Sequence, residues 1–491
     1  MHFPVLSVIV FLPLLAGCVI LLLSPEKKQA IRITAAIASG INLILTVITY
    51  LSYNTAAGGY QMIEHYPWLP ALGISYYVGV DGLSIPLVLL AGIVVFCGVL
   101  ISWNIEDRPR EFYAFMMFLA TSVLGVFVSL DLFQLFFFFE IAVFPKYIMI
   151  VVWGSPKTRE YGAMKLTLYL FIGSVVAMVG ALAMYVTSGL HTFDMLALEK
   201  AGFSVQFQQT WFLVVFLGFA VLGGIFPFHS WAPDGHVAAP TAISMLLAGV
   251  EMKVGAFAAL RVAIMLLPAG AHYWAWLILL LGTINVVYGA FIAMIQTDFK
   301  YVIGFSSVSH MGLVMMGFGA VAAAGVPARS GLMGAGMQMF SHGIMTALFF
   351  SIVGMVYDRT HNRDISHLGG LVQKMPWAAV GFIIAGLVSM GMPGFSGFVA
   401  EIPIFMGVWS VAPIFAIIAI LGVIITAAYI FRVIGKVFFG ELPAEYQQSV
   451  GDVGVLDKVS IGLLALLMVA IGIFPSLMVP WVQSGVSNVL R

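Results

Sequence analysis

The chain has 491 residues, of which 62% are hydrophobic and only 9% are charged, against about 25% charged in a typical soluble domain. Lys and Arg balance Asp and Glu at 21 each, so no net field draws nucleic acid or acidic partners. This composition excludes an ordinary soluble enzyme, a nucleic-acid binder and a disordered chain, and leaves a polytopic α-helical membrane protein.

About 20 apolar residues cross a hydrocarbon layer as a helix. Such stretches predict about fourteen spans: 4–24, 31–53, 79–103, 112–129, 131–153, 165–187, 211–231, 240–267, 272–294, 302–322, 333–357, 377–409, 413–435 and 456–480. An even number puts both termini on one side. With the N-terminus outside, fifteen of the 21 Lys and Arg fall in cytoplasmic loops. Four (Lys200, Arg261, Arg329 and Arg491) fall outside, and Lys146 and Lys253 lie within spans. The positive-inside rule therefore places both termini on the outer side. In the first span, Leu15-Ala-Gly-Cys18 matches a lipoprotein cleavage box. No basic residue precedes it and the apolar run continues past Cys18, which fits a retained span better. Cys18 and Cys97 are too few for a disulfide framework or a thiolate cluster. The longest loops (54–78, 188–210 and 436–455) leave no room for an extramembrane domain, so 1–491 reads as a single membrane domain. No nucleotide-binding turn, paired-Cys motif or haem-type His pair is found, so the chain is expected to carry no cofactor or metal of its own.

Charged groups near the membrane midplane cost at least a few kcal/mol each and are functional candidates by default. In chain order they are Glu140, Lys146, Glu251, Lys253, His310, His342 and Glu401. Acids, bases and imidazoles distributed over several spans are what a proton path requires. Each has a plainer alternative. Glu140 follows Phe136–Phe139 and fits a structural salt bridge as well. Glu251 and Lys253 are two residues apart, point to nearly opposite sides of a helix and should not pair. Glu251 is left open between a lipid-edge or loop-facing position and an acid supporting the site. His310 and His342 each follow Ser and fit hydrogen-bonded core histidines, although two His beside a Lys span favour a relay.

Two spans carry helix breakers: Gly223-Gly224-Ile-Phe-Pro227 in the seventh and Gly391-Met-Pro393-Gly394-Phe-Ser-Gly397 in the twelfth. Broken helices five spans apart predict two inverted five-helix repeats, spans 4–8 (112–267) and 9–13 (272–435). The alternative is Gly-mediated close packing. After the first break come His229, Asp234 and His236. A metal site there is conceivable, but a hydrogen-bonded loop capping the next helix fits better.

Several motifs together match a family. Gly79-Val-Asp-Gly-Leu-Ser84, Glu140 followed by Pro145, Pro227-Phe-His229-Ser-Trp-Ala-Pro-Asp-Gly-His236, Leu247-Ala-Gly-Val-Glu-Met-Lys253-Val-Gly255, Gln296-Thr-Asp-Phe-Lys300 with Phe305-Ser-Ser-Val-Ser-His310-Met-Gly312, and Pro393-Gly-Phe-Ser-Gly-Phe-Val-Ala-Glu401 span most of the chain. It resembles the antiporter-like membrane subunits of respiratory complex I, the proton-translocating NADH:quinone oxidoreductase, and most closely their M-type (chain 4 type). Glu401 stands where the L- and N-types usually carry lysine, and no long lateral helix follows span 14. The resemblance implies a proton-translocating subunit of a bacterial inner-membrane complex. Its partners would be L-type and N-type chains and small membrane subunits, with lipid around them. NADH, FMN, iron–sulfur clusters and quinone would belong to partner subunits. It assigns Glu140 and a seventh-helix lysine as a modulating pair, Lys253 and the following histidines as relay, and Glu401 as outlet.

The chain departs from that pattern once. The expected seventh-helix lysine is Leu222. Lys146 stands six residues after Glu140, about 120° off its face on a regular helix, with Pro145 to bend the span. Lys146 is expected to replace the missing lysine, pairing with Glu140 or facing the seventh helix; a lysine snorkelling at a span end is the alternative. In the expected cycle, Lys146 leaves Glu140, approaches Lys253 and drives its proton off by like-charge repulsion. Rival readings are a subunit of a multi-subunit cation/proton antiporter, a membrane component of a hydrogenase-type complex, or a structural spacer with a dead channel.

Overall fold

The computed structural model describes residues 3–490. Thirteen helices are long and apolar enough to cross a membrane among the described residues. They are Val5–Leu22, Lys28–Ser52, Ser84–Ile101, Pro109–Val128, Leu132–Trp153, Arg159–Ser188, Val205–Leu222, Thr241–Ile264, Pro268–Ile295, Phe299–Ala324, Val326–Thr360, Pro413–Phe438 and Val455–Ile473. Two shorter apolar helices, Pro376–Ser389 and Ser396–Trp409, form the remaining crossing, broken in its middle. Counted in chain order that pair is span 12, and the total is the predicted fourteen.

Proline and N-caps set several helix starts. Pro109, Pro268, Pro376 and Pro413 open helices where a missing N–H costs nothing. Asp131 and Asp298 cap Leu132–Trp153 and Phe299–Ala324 by accepting from backbone N–H groups. Spans 8 and 11 are buried along their entire apolar windows, whereas only a third of the windows of spans 2, 13 and 14 is buried. The core is therefore built around spans 8 and 11. They meet backbone to backbone: a Cβ added at Gly343 would lie 2.8 Å from the Gly249 carbonyl oxygen, a small-residue contact of the kind that packs membrane helices.

Three expectations need correction. The 54–78 segment is not a plain loop, because Gln61–Leu69 and Ile74–Val80 pair as an antiparallel hairpin. Strand alternation was hidden there by Pro67 and by the short, aromatic-rich runs. An 11-residue helix, Val479–Val489, follows span 14; Trp481 stacks on Tyr50 at 4.6 Å and its indole donates to the Tyr50 carbonyl. Arg261, assigned above to the outer side, lies buried inside span 8. It forms an ion pair with fully buried Asp81 and stacks over Tyr60 and Phe257. Span 8 continues past Arg261 to Ile264 because the pair makes its charge tolerable. Arg491, counted on the same side, lies outside the described residues.

The backbone of the first residues donates to Glu64 of the hairpin, and Val479–Val489 packs on Gly82 at the start of span 3. The first and last described helices thus meet the rest of the bundle on one face. On the opposite face the exposed Glu106, between spans 3 and 4, accepts from Lys28 at 2.7 Å and Arg32 at 2.5 Å. These hydrogen bonds hold its carboxyl down to about 2.

Spans 7 and 8 approach closely at Gly255. A Cβ there would fall 2.6 Å from the Leu222 carbonyl carbon and 2.7 Å from its Cβ. Gly255→Ala should cost about 1–3 kcal/mol through overpacking. Gly462→Ala, where nothing lies within 4 Å, should be neutral or slightly stabilising by helix propensity. Thermal unfolding of the two purified variants checks the contrast.

Candidate proton-relay site

Span 8 is not a regular α-helix. Leu247–Glu251 and Ala259–Ile264 are wound as π-helix, on either side of the α-helical turn that carries Lys253. Such turns are rare and concentrate at functional sites. Lys253 is fully buried. Its Nζ donates to the Ala248 carbonyl and stands 2.6 Å from His342 Nδ1 of span 11. No carboxylate pairs with it among the described residues.

The next groups line up. The His342 and His310 rings stack with centroids 5.4 Å apart and planes 18° from parallel. His310 Nε2 then lies 3.8 Å from Glu401 Oε1. His310 Nδ1 faces the Ser306 carbonyl at 2.8 Å and Nε2 faces the Ser389 carbonyl at 3.0 Å. The Ser389 hydroxyl also approaches Nε2, at 3.4 Å, and can donate to it, so a neutral ring with its proton on Nδ1 satisfies this setting. No hydrogen bond joins the two rings among the described residues, and His342 Nε2 has no partner. The predicted relay residues Lys253, His310, His342 and Glu401 are thus brought together, and all four are buried.

The breaks frame this line. Span 12 interrupts between Ser389 and Ser396, with Gly391 at φ +65° and Gly394 at φ +89°, a region open to glycine at little cost. A Cβ at Gly391 would meet Glu401 Oε2 at 2.7 Å. The break thus makes room for the carboxylate. Pro393 lies in the interruption, and Gly397 packs onto Val388 across it. Span 7 breaks after Leu222 through Gly223, Gly224 at φ +71° and Pro227. Asn285 of span 9 accepts from the Phe226 N–H at 2.6 Å and donates to the Gly224 carbonyl at 3.1 Å, satisfying backbone the break releases.

His229 and His236 do not converge. His229 packs its ring on Phe226 and Tyr288. His236 is fully buried against Trp231 and Phe350, with neither ring nitrogen hydrogen-bonded among the described residues. The stretch expected as a capping loop is itself the short helix Trp231–Ala238. The Ser244 hydroxyl donates back to the His236 carbonyl. No group of three or more His, Cys, Asp or Glu positioned for a metal ion occurs among the described residues. Beside His236, a 310 Å³ cavity opens at the end of the bundle, lined by Ser102, Trp153, Thr241, Lys300, Asp358 and Arg363 among others. Lys300 donates to the Ala239 carbonyl at 2.5 Å. Motif reading did not single out Lys300 or Asp358 for any role. Their shared signal is a charge within two residues of a predicted span end.

The expected Lys146–Glu140 pair is not formed. Lys146 is wholly buried and its Nζ pairs with Glu251 Oε2 at 2.9 Å, with the Phe139 ring 5.3 Å away. Glu140 accepts instead from the Ser174 hydroxyl of span 6. Helical phase explains the change: residues six apart diverge by about 120°, which turns Lys146 toward span 8. The snorkelling reading of Lys146 and the lipid-edge reading of Glu251 fall with their burial. Leu222 occupies its place as an apolar filler against Gly173 and Gly255.

Comparison with known proteins agrees with this fold. Residues 129–426 match the family model described as "NADH:quinone oxidoreductase/Mrp antiporter, TM". The chain is 34% identical to NADH-quinone oxidoreductase subunit M of Rickettsia conorii, covering 100% of this chain and 99% of that one. It is 35% identical to NAD(P)H-quinone oxidoreductase chain 4 of Gloeobacter violaceus, over 97% of this chain and 90% of the relative. A chain of respiratory complex I from Thermus thermophilus superposes with a TM-score of 0.89 at 28% identity, covering 99% of this chain and 100% of that chain. With a family match over residues 129–426 and full-length relatives at 34–35% identity, the chain belongs to the NADH:quinone oxidoreductase/Mrp antiporter transmembrane family, among relatives called subunit M or chain 4.

Proposed function

We propose that this chain is a proton-translocating membrane-arm subunit of a complex I-type NADH:quinone oxidoreductase. The observation that carries the reading is the buried series Lys253–His342–His310–Glu401, which ends at the break of span 12. Protons enter from the cytoplasm through the cavity at Lys300 and Asp358, pass by His236 to Lys253, move along the two histidines and leave from Glu401 to the outer side. Redox energy arrives from other subunits, which hold NADH, FMN, iron–sulfur clusters and quinone. The neighbours in the arm are L-type and N-type chains and small membrane subunits. The complex sits in a bacterial inner membrane with both termini of this chain outside. Glu140, held by Ser174, is the acid at the lateral edge of the site. Spans 4–8 and 9–13 are two inverted repeats. The breaks in spans 7 and 12 support that pairing, as do the π turns in span 8 and at Ile434–Phe438 of span 13.

Glu401→Gln tests the outlet. It keeps the shape of the side chain and removes its charge and proton capacity. In the intact complex reconstituted in vesicles, protons moved per electron should fall. An unchanged ratio at normal assembly removes Glu401 from the path.

A further inference from the structure

The seventh span contributes no lysine, yet the core holds a buried ion pair two residues from Lys253. Lys146 is fully buried and Glu251 is 4% exposed, with Nζ and Oε2 2.9 Å apart. A buried pair kept only for stability is weakly favoured, because desolvation of both charges offsets their attraction unless every lone pair is satisfied. Here satisfaction within the protein is incomplete: Glu251 Oε1 has no side-chain or backbone partner among the described residues. The carboxylate is held from one side, by one cation, on a different helix. Glu251 also closes the first π segment, immediately before the turn that bears Lys253. Lys146 reaches it from span 5, next to Pro145 inside that helix.

We propose that Lys146 and Glu251 form the gate that sets the charge felt by Lys253, with Glu251 as its acid. The inference rests on the proton-relay reading above. With the pair closed, the Lys146 ammonium offsets the carboxylate. With the pair parted, the Glu251 carboxylate acts alone on Lys253 and holds a proton there, because an anion stabilises a nearby cation in low dielectric. Reclosure withdraws that support. The N–H bond on Lys253 then breaks and one forms on His342 Nδ1, 2.6 Å away, leaving Lys253 neutral and ready to take the next proton from the cytoplasmic side. The sense is opposite to a like-charge gate, in which an approaching lysine expels the proton. Glu251 and Lys146 are positioning residues in this scheme, since neither receives the translocated proton.

The test uses the intact complex in sealed vesicles, reading subunit content and protons moved per electron. The double variant Lys146→Met/Glu251→Leu removes both charges and leaves neither stranded. If the pair is a gate, the assembled double variant drops to the proton-per-electron ratio of Lys253→Ala. A wild-type ratio overturns the proposal and leaves a structural ion pair. Should that variant fail to assemble, the exchange Lys146→Glu/Glu251→Lys keeps the pair while putting a cation beside Lys253. A fall in ratio then supports the gate, and a wild-type ratio overturns it. Lys253→Ala run alongside separates the two levels: full pumping without Lys253 removes the relay itself, whereas lost pumping without Lys253 beside intact pumping in the pair variants removes only the gate.

Discussion

Lys253→Ala is expected to abolish proton translocation by this subunit while the complex still assembles. The lysine has two contacts through its Nζ, the Ala248 carbonyl and His342 Nδ1. Neither is a carboxylate, so its removal strands no opposite charge and assembly should survive. Function should not. In the proposed path the step from the cavity to His342 runs through that one nitrogen, and a methyl group neither accepts nor donates a proton. A loss of at least about tenfold in translocation rate corresponds to only about 1.4 kcal/mol of barrier, well below the cost of moving a charge through the gap unaided. Proton uptake by vesicles holding the reconstituted complex, set against quinone reduction, measures the effect. Protons per electron equal to wild type would refute the assignment.

Arg261→Leu is the substitution expected to damage the fold most. Arg261 and Asp81 are an ion pair with 3% and 0% side-chain exposure. Asp81 also accepts from the Leu83 and Ser84 N–H groups that start span 3. Removing the guanidinium leaves a buried carboxylate with no counter-charge, a loss of about 3–5 kcal/mol. That is a large part of the 5–15 kcal/mol that holds typical domains folded. The hairpin, span 3 and span 8 meet at this pair, so the amount of assembled complex should fall steeply. The double variant Asp81→Leu/Arg261→Leu removes both charges and should recover much of the loss. Subunit content after mild extraction distinguishes the two. Equal loss in single and double variants would assign the effect to packing.

Much of this was legible in the chain itself, for reasons that differ by element. The fourteen crossings follow from apolar runs of sufficient length, and the bilayer leaves few alternatives for such runs. The candidate relay residues stood out because ionisable groups in those runs are rare: Lys253, His310, His342 and Glu401 are conspicuous among Leu, Val and Phe. Their meeting was not legible, since spans 8, 10, 11 and 12 contact one another through chain segments distant in sequence. Lys146 shows the limit. Its displacement from span 7 was visible at Leu222, but its partner was not. Partner choice depends on which face of span 5 turns to span 8, and a six-residue interval in a helix containing Pro145 does not decide that. Arg261 was missed because a basic residue near a span end normally reaches headgroups, and its acid, Asp81, lies 180 positions earlier.

The π turns of span 8 carry a consequence for reading such helices. A wide turn accommodates one residue more than an α turn, so the wheel slips by about 100° each time. A projection drawn at constant angular step through 241–264 therefore drifts out of phase on passing Leu247–Glu251, and again on passing Ala259–Ile264. The stretch holding Lys253 and the stretch holding Arg261 obey different offsets. One continuous helix can thereby aim one cation inward at an imidazole and another at an aspartate toward its end, each direction set by an inserted residue and not by the spacing between the two.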